Sequence, residues 1–333
     1  MVNRTRYFVI AALLVLGVGL GTGLVAFFVG FPAGAFQRRG GPEELQYIPR
    51  DASLIAYADV QQIMTSDLRQ KLRKFIPMKE DGQREFQDRT GINIETDIDR
   101  VLACVRTDAN STNPPGSGMV LARGRFDEVR IESLMREHGA HVEDYRGKRV
   151  VVADLGRHPD TFGVAFVEPG LVAVGNSPLV HTAIDLHQGG DNPQTGVASA
   201  TGNEELMNLV RSLDAGNAWA VGRFDVLTAR ANLPSGVADR LPAITWFSAS
   251  SHINGGLSGV IRAEARDEEA ANNLRDVVRG FLALAKMQAG SRPDVQAMIQ
   301  SLELGGTGKT VALSFTVPAQ IFDAIAALAP QKQ

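Results

Sequence analysis

The sequence predicts an α+β protein, in which an N-terminal transmembrane helix is followed by two related modules of antiparallel sheet packed by helices. Two observations carry this prediction. An uncharged apolar run fills residues 7–31, and beyond residue 50 the order of short apolar strand, aspartate and helix recurs four times. The predicted divisions are an anchor over 1–31, a stalk over 32–49, a first module over 50–190, a linker over 191–202 and a second module over 203–330.

The apolar run is long enough to cross a bilayer. Its 25 residues, Tyr7 to Phe31, contain no charge, and at about 1.5 Å of rise each they span a hydrocarbon core roughly 30 Å thick. Because Arg4 and Arg6 precede the run, we expect an uncleaved signal anchor that places the large C-terminal part on the extracytoplasmic (periplasmic or cell-surface) side. Cleavage after Ala35 is the alternative, although the apolar core of a signal peptide is shorter, roughly 7 to 15 residues.

Glycine spacing inside the run permits close approach of two membrane helices. Gly17 and Gly21 are four residues apart, as are Gly19 and Gly23, and small residues at this spacing favour helix self-association. The alternative is an ordinary flexible membrane segment.

Composition restricts the partners. The net charge is -3 and the pI about 6.1, so the chain lacks the basic field that binding to nucleic acid requires. Cys104 is the single cysteine, which excludes an intrachain disulfide and a cysteine-based zinc site. Residues 32–49 are rich in Gly, Pro and charge without apolar periodicity, and they predict a short stalk.

Four aspartates stand where a predicted strand gives way to a helix: Asp59, Asp127, Asp225 and Asp267. An aspartate at this position accepts hydrogen bonds from the free amides of the first helical turn. We therefore predict helix caps here and not catalytic acids. The fourfold recurrence indicates a duplicated unit.

Turn signals place two hairpins in the first module. They are centred on Arg146-Gly147 and Pro169-Gly170. Ser177-Pro178 then opens a helix, with Ser177 as its predicted cap, and Gly189-Gly190 ends it. In the second module we predict a strand at 217–223, a helix at 225–232, a hairpin over 243–251 and 257–265, a helix at 267–289, a strand at 309–316 and a closing helix from Pro318. Helices are expected on one face of each sheet.

The long helix at 267–289 is amphipathic. Its predicted apolar face consists of Ala270, Ala271, Leu274, Val277, Val278, Phe281, Leu282 and Ala285. That width favours packing on a sheet. A groove beneath the helix that binds an apolar ligand is the alternative.

Three motifs resemble chemical sites and fail on spacing or context. Residues 305–310 end like a phosphate-binding loop, but the first glycine of that motif would fall on Glu303, so we predict a hairpin turn. The alternating polar residues Asn93, Glu95, Asp97 and Asp99 resemble a calcium loop, but the obligatory glycine would fall on Ile98, so we predict a capped turn before a strand. Ser177 lacks the second glycine of a nucleophile elbow.

The histidines give no metal spacing. His138 and His141 straddle a helix end, and His181 and His187 are six residues apart on one helix. We therefore predict no catalytic, cofactor-binding or metal-binding residue.

The order of several short segments resembles that of uncharacterised bacterial membrane-anchored families of unknown function. The segments are Tyr47–Ala52, Thr90–Ile92, Asp97–Arg100, Phe126-Asp127, Tyr145–Gly147 and Leu171–Gly175. The resemblance implies an N-terminal anchor and tandem α+β modules. It transfers no catalytic residue, because the shared positions are turns and caps.

Two classes of function remain open. The expected one is a non-enzymatic binding or scaffolding module near the membrane, with a protein or a lipid as partner. The alternative is an extracytoplasmic hydrolase whose site residues are dispersed in sequence. A site gathering His181 or His252 with an acid and a serine would favour the hydrolase. An exposed apolar patch would favour a binding partner.

Overall fold

The computed structural model describes residues 41–67, 80–107, 117–154, 161–190, 197–214, 216–224, 243–253, 256–289 and 293–318. Within them the protein is a mixed α/β structure built on antiparallel sheet. No helix in these ranges combines the length and the apolar character needed to cross a membrane. The predicted span at 7–31, its glycines and Ala35 lie outside the described residues, as do Asp225, the predicted helix at 225–232 and the predicted closing helix beyond Pro318.

The contacts divide the chain into two units. The first contains the described residues of 38–61 and 78–211, and the second those of 62–77 and 212–333. The division lies between residues 211 and 212, so the helix over Glu204–Arg211 belongs to the first unit. The sequence predicts this helix to lie in the second module.

The first unit contains most of the described elements. Its strands are β1 (Leu54–Ala58), β2 (Ile98–Arg106), β3 (Ser117–Gly124), β4 (His141–Tyr145), β5 (Lys148–Asp154), β6 (Thr161–Glu168) and β7 (Leu171–Asn176). Its helices are α1 (Val60–Thr65), which runs across the division, α2 (Glu80–Thr90), α3 (Ile94–Asp97), α4 (Glu128–Glu137), α5 (Ser177–Gly189) and α6 (Glu204–Arg211), with 3-10 helices at Glu43–Tyr47 and Ala200–Gly202. The strands pair in the order β1-β2-β3-β7-β6-β5-β4, each pair antiparallel.

The second unit is smaller. It contains β8 (Ala218–Arg223), β9 (Ile244–Ile253), β10 (Gly256–Ala265), α7 (Glu268–Ala289), α8 (Pro293–Gln300), β11 (Glu303–Gly305) and β12 (Thr310–Pro318). The order in its described sheet is β8-β9-β10-β12-β11, again antiparallel throughout. In both units three successive strands lead into a helix, and the last strand returns to pair with the third, as β7 does with β3 and β12 with β10.

The predicted hairpins are confirmed. Arg146 and Gly147 both have positive φ, 51° and 73°, the combination that a two-residue turn between twisted antiparallel strands requires. Gly170 (φ 74°) turns β6 into β7, and α5 ends at Gly190 (φ 58°) as predicted. Residues 305–310 form the turn between β11 and β12, so the prediction of a hairpin in place of a phosphate-binding loop is also confirmed.

The described parts of the two segments predicted as linkers, residues 41–49 and 197–202, are folded. Leu45 and Ile48, within the predicted stalk, are buried in the first unit. Residues 49 and 199 form a β-bridge, and the amide of Ala200 donates to the carbonyl of Ile48 over 2.8 Å. The described residues of the predicted stalk and linker, 41–49 and 197–202, therefore take part in the fold of the first unit, although these stretches lack helical or strand periodicity.

The prediction that helices cover one face of the sheet is wrong for the first unit. Arg149 of β5 lies opposite Asp144 of β4 and pairs with Glu132 of α4 at 2.5 Å. Tyr145, the next residue along β4, donates a hydrogen bond to Asp185 of α5. Since successive side chains of a strand point to opposite faces, α4 and α5 pack on opposite sides of this hairpin.

Candidate functional site

A polar cluster among the described residues of the first unit joins the 3-10 helix at Glu43–Tyr47 to the sheet and to α5. We call it the Glu44 network. Its members are Glu44 and Tyr47 from the 3-10 helix, Arg100 from β2, Arg123 from β3, Glu168 from β6 and His187 from α5.

The two acids of the network are held by arginines. The Oε1 atom of Glu44 accepts hydrogen bonds from Arg100 Nε at 3.0 Å and from Arg123 Nε at 2.7 Å. Arg123 Nη2 also donates to Glu168 Oε1 at 2.6 Å. The other oxygen of Glu168 accepts from the hydroxyl of Tyr47 at 3.1 Å and lies 3.6 Å from His187 Nε2.

This geometry keeps Glu168 ionised at neutral pH. Burial alone would raise the pKa of Glu168, but hydrogen bonds from Arg123 and Tyr47 outweigh it, so the pKa lies below its ordinary value. Burial, reinforced by the charge of Glu168, raises the pKa of Tyr47 to about 12. Glu168 is therefore not suited to donate a proton at neutral pH. The pairing favours a structural role for the network, which ties the 3-10 helix at Glu43–Tyr47 to the sheet.

A second polar cluster, the β4–α5 clamp, consists of Glu143, Tyr145, His181 and Asp185. His181 Nε2 lies 2.8 Å from Glu143 Oε1, and the His181 ring stacks on Tyr145 with centroids 3.9 Å apart. The hydroxyl of Tyr145 donates to Asp185 Oδ2 at 3.0 Å. These contacts hold the edge hairpin against the helix.

The clamp brings together a histidine and an acid, but it lacks the serine of a hydrolase triad. Ser177 precedes His181 by one helical turn on α5, yet its hydroxyl is buried and makes no hydrogen bond among the described atoms. The prediction that Ser177 caps the helix is wrong as well, because α5 begins at Ser177 and has no side-chain cap hydrogen bond. In the second unit His252 lies opposite Ser258, whose hydroxyl donates to the His252 carbonyl.

The other sequence motifs have structural roles. Asn93 accepts from the amide of Glu95 at 3.0 Å, and Asp97 accepts from the amide of Asn93 at 2.8 Å, which confirms the capped turn before β2. Asp127 accepts from the amide of Arg130, and Asp267 from that of Ala270, which confirms both as helix caps. Asp59 directly precedes α1.

The described histidines have positions in the fold that do not group them with acids for metal binding. His138 ends α4, with its Nδ1 atom 2.7 Å from the Leu134 carbonyl oxygen. Throughout the described ranges, no three His, Cys, Asp or Glu side chains are arranged to hold a metal ion.

The long helix α7 carries the most distinctive surface of the second unit. Ala270, Ala271 and Leu274 in its first half are buried against Ala265 and Val311, as the sequence predicts.

The second half of α7 differs from the prediction. Phe281, Leu284 and Met287 are 58%, 53% and 78% exposed and follow one another at intervals of three residues. We call these three residues the α7 stripe. Phe281 was predicted to face the core, and Leu284 and Met287 were not singled out. Only Val129 and Ile261 are comparably exposed large apolar residues in the described part of the chain.

The α7 stripe is the candidate functional site. Solvent exposure of three large apolar side chains on one helix is unfavourable unless they meet an apolar partner. From Val277 to Ala289 the charged residues are Arg279 and Lys286, with no acid. Arg279 pairs with the exposed Asp276 at 2.8 Å, so the charges beside the stripe are this ion pair and Lys286.

Comparisons with protein-family models, curated proteins and solved structures found no match to this chain.

Proposed function

We propose that this protein is a single-pass membrane-anchored protein with two related extracytoplasmic modules, which acts without catalysis as a binding or scaffolding module near the membrane. The α7 stripe carries the proposal of binding. A surface of this kind is typical of an interaction site, since monomeric soluble domains usually bury such side chains.

The membrane anchor is supported by the run Tyr7–Phe31. It exceeds the length needed to span a bilayer and holds no charge over 25 residues. The flanking Arg4 and Arg6 support an orientation that leaves the folded units outside the cytoplasm.

The relationship between the two modules is supported by their common strand order. In each unit the third strand leads into a helix capped by an aspartate, Asp127 or Asp267. The final strand then pairs with that third strand. Duplication of one ancestral unit explains both the shared topology and the recurring sequence order.

The proposal of a non-catalytic role is supported by the contacts that the side chains of the two polar clusters make within the fold. In the Glu44 network, arginines engage both acids, and in the clamp His181 and Tyr145 join a hairpin to a helix. These interactions stabilise the fold, and the two clusters themselves contain no assembled set of nucleophile, base and acid.

Membrane fractionation of the full chain tests the anchor. We expect the wild-type protein to stay in the membrane pellet after alkaline extraction, and a Leu14→Arg, Leu20→Arg variant to be released. Val129→Arg, at an exposed position of α4, is the control and should behave like the wild type. Protease added from outside should digest the folded part. Extraction of the wild type, or its protection from external protease, would contradict the proposal.

One observation favours the hydrolase alternative, namely the hydrogen bond between His181 and Glu143. Ser177 is buried, which argues against a substrate reaching it. We expect the His181→Gln and Ser177→Ala variants to hydrolyse a panel of chromogenic esters and peptides no faster than a mock purification does. Turnover by the wild type that either substitution abolishes would favour the hydrolase.

A further inference from the structure

We propose that Met287 is a site of reversible oxidation by hydroperoxides, and that its sulfoxide lowers the apolar character of the α7 stripe. The inference rests on the proposed function, because it takes the stripe as the binding surface. It goes further by naming a chemical modification that regulates this surface.

The exposure of the Met287 side chain is the first argument. It is 78% exposed, the highest value among the large apolar residues in the described part of the chain. Met119, Met135 and Met207 are only 1%, 4% and 4% exposed, so their sulfur atoms lie inside the fold. Because a hydroperoxide must reach the sulfur atom to oxidise it, we expect Met287 to react well before these three.

The single cysteine does not compete for the oxidant. Cys104 is 2% exposed, and burial raises the pKa of its thiol to about 12. The thiolate, which is the form that reacts with a hydroperoxide, is therefore scarce near neutral pH. Met64 is half-buried. Within the described side chains, the most accessible sulfur atom is thus the thioether of Met287.

The oxidation requires no group from the protein besides the thioether. The sulfur of Met287 attacks the terminal peroxide oxygen, the O–O bond breaks and an S–O bond forms. The sulfur loses two electrons and the peroxide gains them. The proton of the transferred hydroxyl passes to the departing oxygen, which leaves as water from hydrogen peroxide or as an alcohol from an organic hydroperoxide. Methionine sulfoxide reductases reverse the change.

The position of Met287 within the stripe connects oxidation with binding. Phe281 and Leu284 have no group that a hydroperoxide converts reversibly, whereas methionine sulfoxide is polar. A partner that covers the sulfoxide must remove water from its oxygen, which is costly without a compensating hydrogen bond. The oxidised stripe should therefore bind an apolar partner more weakly. Because the Met287 side chain lies outside the core, its oxidation should leave the fold intact.

The experiment treats the full chain, reconstituted in phosphatidylcholine vesicles, with hydrogen peroxide and locates the added oxygen by mass spectrometry of proteolytic peptides. We expect oxygen to appear at Met287 at least about tenfold faster than at Met119, Met135 or Met207. In urea these four methionines should react at similar rates. Methionine sulfoxide reductases with a dithiol should return Met287 to its original mass.

The effect on the stripe is measured with a small apolar diazirine, which on illumination inserts into the side chains that it contacts. We expect labelling of Phe281 and Leu284 to fall by about twofold or more after oxidation, and to recover after reduction. Met287→Leu is the matched control, because leucine is apolar and is not oxidised by the peroxide, so its labelling should not respond to peroxide. Val129, which is 77% exposed on α4, should take up the same label before and after.

Each other result decides against the inference. Equal rates of oxidation at Met287 and at the buried methionines overturn it, while the binding role of the stripe stands. A sulfoxide at Met287 that leaves the diazirine labelling unchanged does the same. A loss of labelling in Met287→Leu as large as in the wild type assigns the effect to oxidation elsewhere. If Phe281 and Leu284 take up no more label than Val129 before oxidation, the proposed binding surface fails together with the inference.

Discussion

Arg123 and Glu44 form the central ion pair of the first unit, with Arg123 Nε 2.7 Å from Glu44 Oε1. The side chain of Glu44 is 3% exposed, and its Oε1 also accepts from Arg100, while its buried Oε2 has no hydrogen-bond partner among the described atoms. The pair links residues 79 positions apart and fixes the 3-10 helix at Glu43–Tyr47 to β3. A buried carboxylate held by two arginines is costly to disturb, because removing its charge leaves the cations without a full partner.

Substitution of Glu44 tests this arrangement. Glu44→Gln should lower the free energy of unfolding of the first unit by about 2–4 kcal/mol. Glu43→Gln is the matched control, since Glu43 also contacts Arg100 but is 53% exposed, and it should change the free energy by less than about 0.5 kcal/mol. Equal effects of the two substitutions in urea unfolding would show that burial of Glu44 does not matter.

The single cysteine provides the probe for that measurement. Burial raises the pKa of the Cys104 thiol to about 12. The reactive thiolate is therefore scarce near neutral pH. Cys104 should resist Ellman's reagent in the native protein and react fully in urea, whereas the exposed thiol of Met287→Cys should react at once. Rapid labelling of native Cys104 would contradict its burial.

Trp219 and Trp246, the two tryptophans, lie in the second unit, so their fluorescence reports on that unit separately.

Acid should destabilise the first unit through Glu168. Its pKa is lower when folded than the ordinary 4.5, so the unfolded chain takes up the proton at higher pH. The stability from this group is present above pH 4.5 and is lost as the pH falls through the folded pKa. In Glu168→Gln, the decrease in stability between about pH 6 and about pH 3 should be smaller than in the wild type. Hydrogen exchange of the β6–β7 hairpin at each pH measures this decrease in stability. The same pH dependence in Glu168→Gln and the wild type would show that Glu168 is not its source.

Two glycines with open space around them should respond oppositely to alanine. A Cβ at Gly147 would meet nothing within 4 Å, but φ is 73°, so Gly147→Ala should destabilise by about 1 kcal/mol through backbone strain alone. Gly189 is equally open, lacks the positive φ and lies in α5. Gly189→Ala should be neutral or stabilise by up to about 1 kcal/mol. Cys104 labelling in urea measures the stability of each variant. A lower free energy of unfolding for Gly189→Ala would contradict the role assigned to backbone conformation.

The cap of α4 should contribute measurably. Asp127 accepts a hydrogen bond from the amide of Arg130 at 3.0 Å. Asp127→Ala should destabilise the first unit by about 1 kcal/mol, and Asp127→Asn, which keeps the accepting oxygen, by less. Thiol labelling of Cys104 in urea again provides the measurement. If alanine and asparagine were equally destabilising, the charge of Asp127 would matter more than its hydrogen bond.

The features predicted successfully from sequence depend on near neighbours. The turn at Arg146-Gly147, the stop at Gly189-Gly190 and the caps Asp127 and Asp267 each involve groups a few residues apart, so local residue types suffice to indicate them. The rejection of a phosphate-binding loop at 305–310 and of a calcium loop at Asn93 followed from spacing in the same way.

The features missed depend on distant parts of the chain. Leu45 and Ser199 are 154 residues apart, and nothing in either local sequence indicates that the two segments pack together. The Glu44 network gathers residues from five elements, and sequence gives no sign that these charges meet. Phe281 fits the apolar face of α7 by periodicity, but the sheet beneath the helix covers only its first half.

The sequence by itself determined the uncharged run at 7–31, the antiparallel character of the folded part, its hairpins and its helix caps, because these follow from residue type and spacing within a few positions. The tertiary structure alone decided that Leu45 and Ile48 are buried in the first unit, that α4 and α5 take opposite faces at the β4–β5 hairpin, and which apolar residues of α7 remain exposed. Exposure depends on what packs against a side chain, and that is set by contacts between residues far apart in the chain.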